Sequence, residues 1–255
     1  MTDKNLDHFI KRYRKDIKKI AQVGAHFGQE LEILTKNNII EVFLFEPNKV
    51  AVEVLESKIE MLSSNSIIKL FPYALGNTTA TSEMYYSDQN DGQSSSILEP
   101  DLHKVVQPGI SFKNKIPVKV RRFEDLDIEN IDFLIMDVQG FELEVLKGFG
   151  QKLKRLQFIY TEVNRDSLYK DNVLIEELDN YLKINGFIRI WISWRTADMP
   201  WGDAFYLRKD KLGKIRIVLN GIKNYFFTSK LYFTLFRIFD IRLIKKNVKK
   251  FLGKK

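Results

Sequence analysis

The sequence predicts a doubly wound α/β protein built on a Rossmann-like, mostly parallel sheet of seven strands, with an antiparallel strand at the edge and a basic helical tail. Three observations carry this. Short apolar runs without polar alternation are separated by amphipathic stretches, the pattern of parallel strands covered by helices on both faces. The last two strand-like runs are joined with no helix between them, which makes them a hairpin. Charge is also unevenly placed: residues 211–255 hold 13 Lys and Arg against the single acid Asp240, whereas residues 1–210 hold 28 basic and 32 acidic side chains. The chain therefore divides into a body at 1–210 and a basic amphipathic tail at 211–255.

Within the body, a polar lead-in is read as helical, and IAQVGA (20–25) as the first strand, followed by a helix over 29–37. VFLFEP (42–47) is the second strand, with a helix over Lys49 to Met61 behind it, and IIKLFPYAL (67–75) is the third. Residues 77–119 are rich in Ser, Asp, Gln and Gly and read as a long irregular segment of the kind used for lids and binding loops. IDFLIMDV (131–138) and LQFIYTEV (156–163) are the fourth and fifth strands, with a helix through EVLKGF between them. A further helix around LIEELDNYLKING ends on Gly186, a natural C-cap. FIRIWISW (187–194) and DAFYLRK (203–209) form the terminal hairpin.

Composition bounds the chemistry. The 255 residues are enough for one large domain with a substantial core. There are no cysteines, which excludes disulfides, thiolate zinc sites and cysteine nucleophiles. His8, His26 and His103 are the only histidines, too few for a multi-histidine metal site. The first residues lack the apolar stretch of a signal peptide, and nothing approaches the roughly eighteen apolar residues of a spanning helix, so a cytoplasmic location is expected.

The turn after the first strand, Gly24-Ala25-His26-Phe27-Gly28, enters a helix. Glycine there permits a tight turn and lets a ligand lie against main-chain atoms. Ala25 and His26 break the dinucleotide fingerprint, which weakens an NAD-dependent reading, while the looser spacing fits a nucleoside without a pyrophosphate. Glu46 ends the second strand about 20 residues later, where an acid accepts hydrogen bonds from both ribose hydroxyls. Its competing role is a surface glutamate capping the helix that starts at Pro47.

The stretch IDFLIMDVQGFELEVLKG (131–148) closely resembles the FkbM-type methyltransferases, through Asp137, Gln139, Gly140, Glu142, Val145, Leu146, Lys147 and Gly148. The resemblance continues in order over about 20–210, through GAHFGQ, FEPN, ALGN (Ala74 to Asn77), the serines 94–96, TEVN with Glu162 and Asn164, and GDAFYL. It implies a class I methyltransferase fold and transfer of a methyl group from S-adenosylmethionine, usually to an oxygen, on acceptors from polyketides to glycans. Resemblance and position together place the cofactor on Gln22, Gly24, Ala25, His26, Gly28, Glu46, Pro47, Ala74, Leu75, Ser95, Asp137 and Val138. One departure is Gln22, where the family has aspartate: glutamine hydrogen-bonds but brings no charge.

Such a transfer needs an aligned acceptor, exclusion of water and removal of the hydroxyl proton. Asp137 is the first choice of base, with binding of the cofactor's amino group or capping of the next helix as its alternatives. Glu162, ending the neighbouring strand, is the second candidate, and with Asp137 and Asn164 it offers an oxygen-rich set for Mg²⁺. Glu142 is expected to point elsewhere in a structural role. His103 reads as an exposed histidine, with a lid-borne base as the alternative. Among Trp191, Trp194 and Trp201, the last is expected to line the acceptor site.

In the tail, Arg216, Lys223, Lys230 and Arg237 recur every seven residues against an aromatic and aliphatic face such as LYFTLF (231–236). That arrangement suits a membrane interface on the inner face of the cell membrane, with packing on the body or an oligomer contact as alternatives. Nucleic acid is the weaker partner. The DVQG run has no proline pair for stacking a base, although ribose methylation of RNA stays open. The leading expectation is O-methylation of a sugar hydroxyl in polysaccharide biosynthesis. Small-molecule acceptors and a non-catalytic binding protein attached through its tail are the competing possibilities.

Overall fold

The computed structural model describes residues 3–196 and 199–212. Its frame is a sheet of seven strands: β1 (Lys19–Val23), β2 (Glu41–Phe45), β3 (Ile67–Phe71), β7 (Phe133–Met136), β8 (Phe158–Asn164), β9 (Phe187–Trp194) and β10 (Trp201–Arg208). Their order across the sheet is β3-β2-β1-β7-β8-β10-β9. The first five run parallel, and β10 lies antiparallel to both β8 and β9. Chain order reverses between β1 and β7, so the carboxyl ends of these two strands open onto a crevice where such sheets bind ligands.

The unbroken apolar runs are explained by burial on both faces. In β7, Leu134 and Met136 face a core built with Val145 and Leu146 of α5 (Glu142–Gly148) and Leu178 and Leu182 of α6 (Ile175–Ile184). Phe133 and Ile135 face the opposite core, with Leu6 and Ile10 of α1 (Asp3–Tyr13), Leu31 and Leu34 of α2 (Leu31–Leu34), and Leu55 of α3 (Lys49–Met61). On this second face the Phe9 ring stacks on Phe205 with centroids 4.0 Å apart and planes 7° apart. That contact pins the lead-in helix to the antiparallel end of the sheet.

Three stretches differ from the sequence expectation. The helix expected over 29–37 shortens to α2, because Asn37 and Asn38 adopt left-handed backbone (φ 61° and 63°) and turn the chain toward β2. The third strand, expected over 67–75, ends at Phe71. Pro72 supplies no amide donor, and β4 (Ala74–Leu75) pairs with a second sheet instead. The supposed irregular segment 77–119 is largely ordered: β5 (Ala80–Tyr86), α4 (His103–Val106) and β6 (Asn114–Arg121) fill it, and β4-β6-β5 form a three-stranded sheet. The chain after β5 folds back, with Tyr85 and Ser96 exchanging backbone hydrogen bonds of 2.8 and 3.1 Å. This brings the serine cluster over the crevice.

Gly186 (φ 90°) closes α6 as its position implies. Of the basic tail, Lys211 pairs with Asp16 at 3.2 Å and Leu212 packs against the core on the α1 face of the sheet, while residues 213–255 lie outside the described residues. Among the described residues no helix is long and apolar enough to cross a membrane.

Phe205 is fully buried at the junction of α1, β8 and β10, so Phe205→Ala should cost about 3–5 kcal/mol. Denaturant unfolding of the two proteins measures it. A loss below about 1 kcal/mol would show that the stacked ring does not join α1 to the sheet.

Candidate cofactor and active site

The site begins at the end of β1. Gly24 has φ 79°, and a Cβ there would overlap the backbone carbonyl of Asp137. Only glycine lets the ends of β1 and β7 approach this closely. The amides of Gly24 and Ala25 both donate to the Phe45 carbonyl, at 3.0 and 3.2 Å, which ties the turn to β2. Glu46 completes the tie. Its Oε2 accepts from the His26 amide and its Oε1 from the Asn48 amide, each at 2.8 Å. Capping of α3 falls to Asn48, whose Oδ1 accepts from the Val50 amide at 3.0 Å, and not to Glu46.

Glu46 is almost wholly buried, and loss of hydration pushes its carboxyl above the ordinary value despite the two amides. It stands in a cleft of about 610 Å³ whose other walls include Pro47, Ala74, Leu75, Ser95 and Val138. One carboxylate held by backbone in a largely apolar slot is suited to a nucleoside: lone pairs not used by the amides could accept ribose hydroxyls, and the apolar walls could cover a base. A second, wider chamber of about 1680 Å³ adjoins it, with Gln22, Glu30, His103, Glu162 and Trp201 on its walls. Gly24, His26, Gln93, Asp137 and Gln139 line both. Ala25 and Gly28 line neither; they shape the turn from behind.

Asp137 therefore marks the junction. Its Oδ1 accepts from Gln139 Nε2 at 2.7 Å. The Tyr169 hydroxyl has one proton for two acceptors, the Ser94 carbonyl at 2.8 Å and Gln139 Oε1 at 2.9 Å. Ser96 Oγ donates to the Gln139 carbonyl at 2.8 Å, so the folded-back serine segment is anchored to the loop after β7. On the opposite side His26 anchors the same segment, with Nε2 2.7 Å from the Asp91 carbonyl and Nδ1 2.9 Å from Gln29 Nε2.

A search against family models matches residues 22–189 to the methyltransferase FkbM domain. The chain belongs to the FkbM methyltransferase family. A curated relative, the 2-O-methyltransferase NoeI of Sinorhizobium fredii, is 30% identical over 162 residues, covering 59% of this chain and 65% of that protein. The methyltransferase sdnD of Sordaria araneosa is 25% identical over 158 residues, covering 52% of this chain and 61% of its own length. The chain thus spans less than two thirds of either relative. Among solved structures, the methyltransferase FkbM of Methylobacillus flagellatus aligns with a TM-score of 0.51 and 19% identity over 75% of this chain and 44% of that one, a likeness of fold. The sheet is that of the class I S-adenosylmethionine-dependent methyltransferases.

Against this family frame the other expected residues fall into place unevenly. Glu162 is buried on the wall of the wide chamber, and burial, with the charges of Asp137 and Glu142, raises its carboxyl well above the ordinary range. Among the described residues no group of three or more His, Asp or Glu could hold a metal ion, so the expected Mg²⁺ site at Asp137, Glu162 and Asn164 gains no support. His103, expected to be exposed, is buried between Phe112 and Tyr169, at centroid distances of 5.2 and 5.4 Å, and desolvation lowers its pKa. Trp201 lines the chamber, whereas Trp191 packs on Phe9 and Tyr160. Glu30, Gln93 and Tyr169 were missed. Glu30 sits directly after the glycine turn, which was a usable signal; Gln93 arrives on the folded-back segment, and Tyr169 arrives on the loop between β8 and α6.

Glu142 turns back under the loop after β7: its Oε1 accepts from the amides of Val138 and Gly140 at 3.3 and 3.2 Å. Burial, then the Asp137 charge, raises its pKa to about 7. Between about pH 4.5 and 7 the folded chain holds this proton and the unfolded chain releases it, so the group makes stability fall as pH rises through that window. Glu142→Gln keeps the acceptor and removes the titration. Unfolding curves at pH 5 and pH 8 should show the variant losing less stability than the parent, by up to on the order of 3 kcal/mol. Equal losses would mean that Glu142 titrates normally.

Proposed function

We propose that this chain transfers a methyl group from S-adenosylmethionine to a hydroxyl oxygen, and that the acceptor is a sugar hydroxyl of a glycan or glycoconjugate. The observation that carries the proposal is the meeting of two dissimilar clefts at Asp137: a narrow slot with a backbone-held glutamate, and a wide polar chamber beside it. When bound, the cofactor supplies a methyl group already activated on a sulfonium. Glu46 would hold its ribose, and Pro47, Ala74, Leu75 and Val138, which line the slot, would flank its base.

The chain's own contribution to the transfer is alignment and proton removal. Asp137, steadied by Gln139, would take the proton of the acceptor hydroxyl. Glu162 keeps its proton to higher pH than an ordinary carboxylate, so it donates a hydrogen bond to the acceptor and orients it. The chamber's amides and the Trp201 ring offer planar polar groups and an apolar face, the combination a sugar ring uses. The similarity to a 2-O-methyltransferase supports oxygen as the target atom. The cationic, aromatic tail at 211–255 suits attachment to anionic lipid, where a lipid-linked acceptor would be presented.

Comparison of surface glycans from cells with and without the intact gene should reveal a sugar that lacks one methyl group in the mutant. An unchanged profile would remove glycans as acceptors. With an acceptor in hand, Asp137→Ala should lower turnover about 10²–10⁴-fold in a methyl-transfer assay. Undiminished turnover would remove Asp137 from proton transfer. The full chain should also sediment with vesicles containing phosphatidylserine and stay in solution with neutral phosphatidylcholine vesicles; equal partition would end the lipid proposal.

A further inference from the structure

His103, the first residue of α4, is a buried polar group that the transfer outlined above leaves without a task. Its backbone is held firmly. The amides of Asp101 and His103 both donate to the Leu168 carbonyl, at 2.9 and 3.1 Å, and the Lys170 amide donates to the Glu99 carbonyl at 2.8 Å. These bonds dock the chain leading into α4 on the loop between β8 and α6. The ring is held as well, edge-on to Phe112 with planes 86° apart and tilted against Tyr169. An imidazole fixed on both counts is set in place before any ligand arrives.

Its polar edge is nevertheless unsatisfied. His103 is 3% exposed, and Nδ1 is buried without a hydrogen-bond partner. A histidine kept only for packing would be expected to pair such a nitrogen, because an unmade hydrogen bond in low dielectric is costly. The residue also belongs to the wall of the wide chamber and not to that of the narrow slot, whereas Asp137 lines both.

We infer that His103 is an acceptor-binding residue, whose imidazole hydrogen-bonds a hydroxyl of the acceptor other than the one that is methylated. This rests on the reading of the wide chamber as the acceptor's seat. Position selects the second hydroxyl. The reacting oxygen must lie at the junction beside Asp137, where the two clefts meet, while His103 belongs to the chamber alone. Chemistry selects a neutral hydroxyl. Desolvation lowers the imidazole's pKa and favours its uncharged form, which has one N–H donor and one bare nitrogen. A hydroxyl both donates and accepts, so it pairs with either nitrogen. A carboxylate or phosphate would call for the imidazolium, which burial opposes. Gln107, four residues on and in the same chamber wall, extends the polar face that such a ligand meets. The acceptor is then a polyol, and a molecule with a single hydroxyl forgoes this contact.

The test uses the full chain, S-adenosylmethionine labelled in its methyl group, and glycan extract from cells that lack the gene. His103→Phe keeps a ring against Phe112 and Tyr169 and removes both nitrogens. It should incorporate about 10–100-fold less label at a limiting amount of extract, and recover most of that loss as extract is raised to saturation. Its affinity for S-adenosylhomocysteine, measured by calorimetric titration, should stay within about twofold of the parent. His103→Asn, which returns an amide close to the Nδ1 position, should keep more incorporation than His103→Phe. Undiminished incorporation by His103→Phe at limiting extract, a loss that saturation does not relieve, or a matching loss of S-adenosylhomocysteine affinity would each overturn the acceptor contact. If the unaltered chain binds S-adenosylhomocysteine yet labels nothing in the extract, the glycan reading itself falls, and this inference with it.

Discussion

The close approach of β1 and β7 at Gly24 is the constraint on which the site depends. With no side chain at that position, the turn after β1 lies against the Asp137 carbonyl, and the two strand ends open side by side. Everything functional is then placed by backbone. The Phe45 carbonyl gathers the amides of Gly24 and Ala25, and the Glu46 carboxylate gathers those of His26 and Asn48. Glu46 is thus both a brace for the turn and the wall of the slot that the turn creates. A residue with those two duties is held in one rotamer before any ligand arrives, which lowers the ordering cost of binding.

Carboxylates line both clefts. Glu46 lines the slot, Asp137 the junction, and Glu30 and Glu162 the chamber, with Glu142 buried under the loop beside them. Desolvation raises Glu46, Glu142 and Glu162 together, and the charges on Asp137 and Glu142 add to the effect on Glu162. Burial thus favours the neutral forms of these carboxyls, and a cationic guest would draw them toward their charged forms. S-adenosylmethionine, with a sulfonium and an ammonium, is a guest of that kind. The second sheet and the folded-back segment close the slot. His26 and Ser96 hold that segment from opposite sides, so the cover over the slot is anchored to the turn after β1 and the loop after β7.

Much of the fold was legible because the parallel strands are buried on both faces and so print as continuous apolar runs; β7 and β8 are the clearest cases. The segment 77–119 was not legible for the converse reason. β5 and β6 are largely exposed, their sequences ATSEMYY and NKIPVKVR carry little apolar signal, and their pairing is set by tertiary contacts. The third strand was over-extended because apolar content continues through Tyr73 and Leu75 although Pro72 ends the ladder. In the site, residues at strand ends such as Glu46 and Asp137 follow from sheet geometry alone. His103 and Tyr169 do not: neither carries a local pattern that announces burial, and they meet only because α4, between β5 and β6, packs on the loop between β8 and α6.

The central claim is that the slot beside Gly24 holds a nucleoside with its ribose on Glu46. A crystal structure of the full chain grown with S-adenosylhomocysteine tests it most directly. The account predicts both ribose hydroxyls within hydrogen-bond distance of the Glu46 carboxylate, about 2.5–3.0 Å, with the base between Pro47 and Val138. Density for the ligand elsewhere on the protein, or a ribose turned away from Glu46, would contradict it.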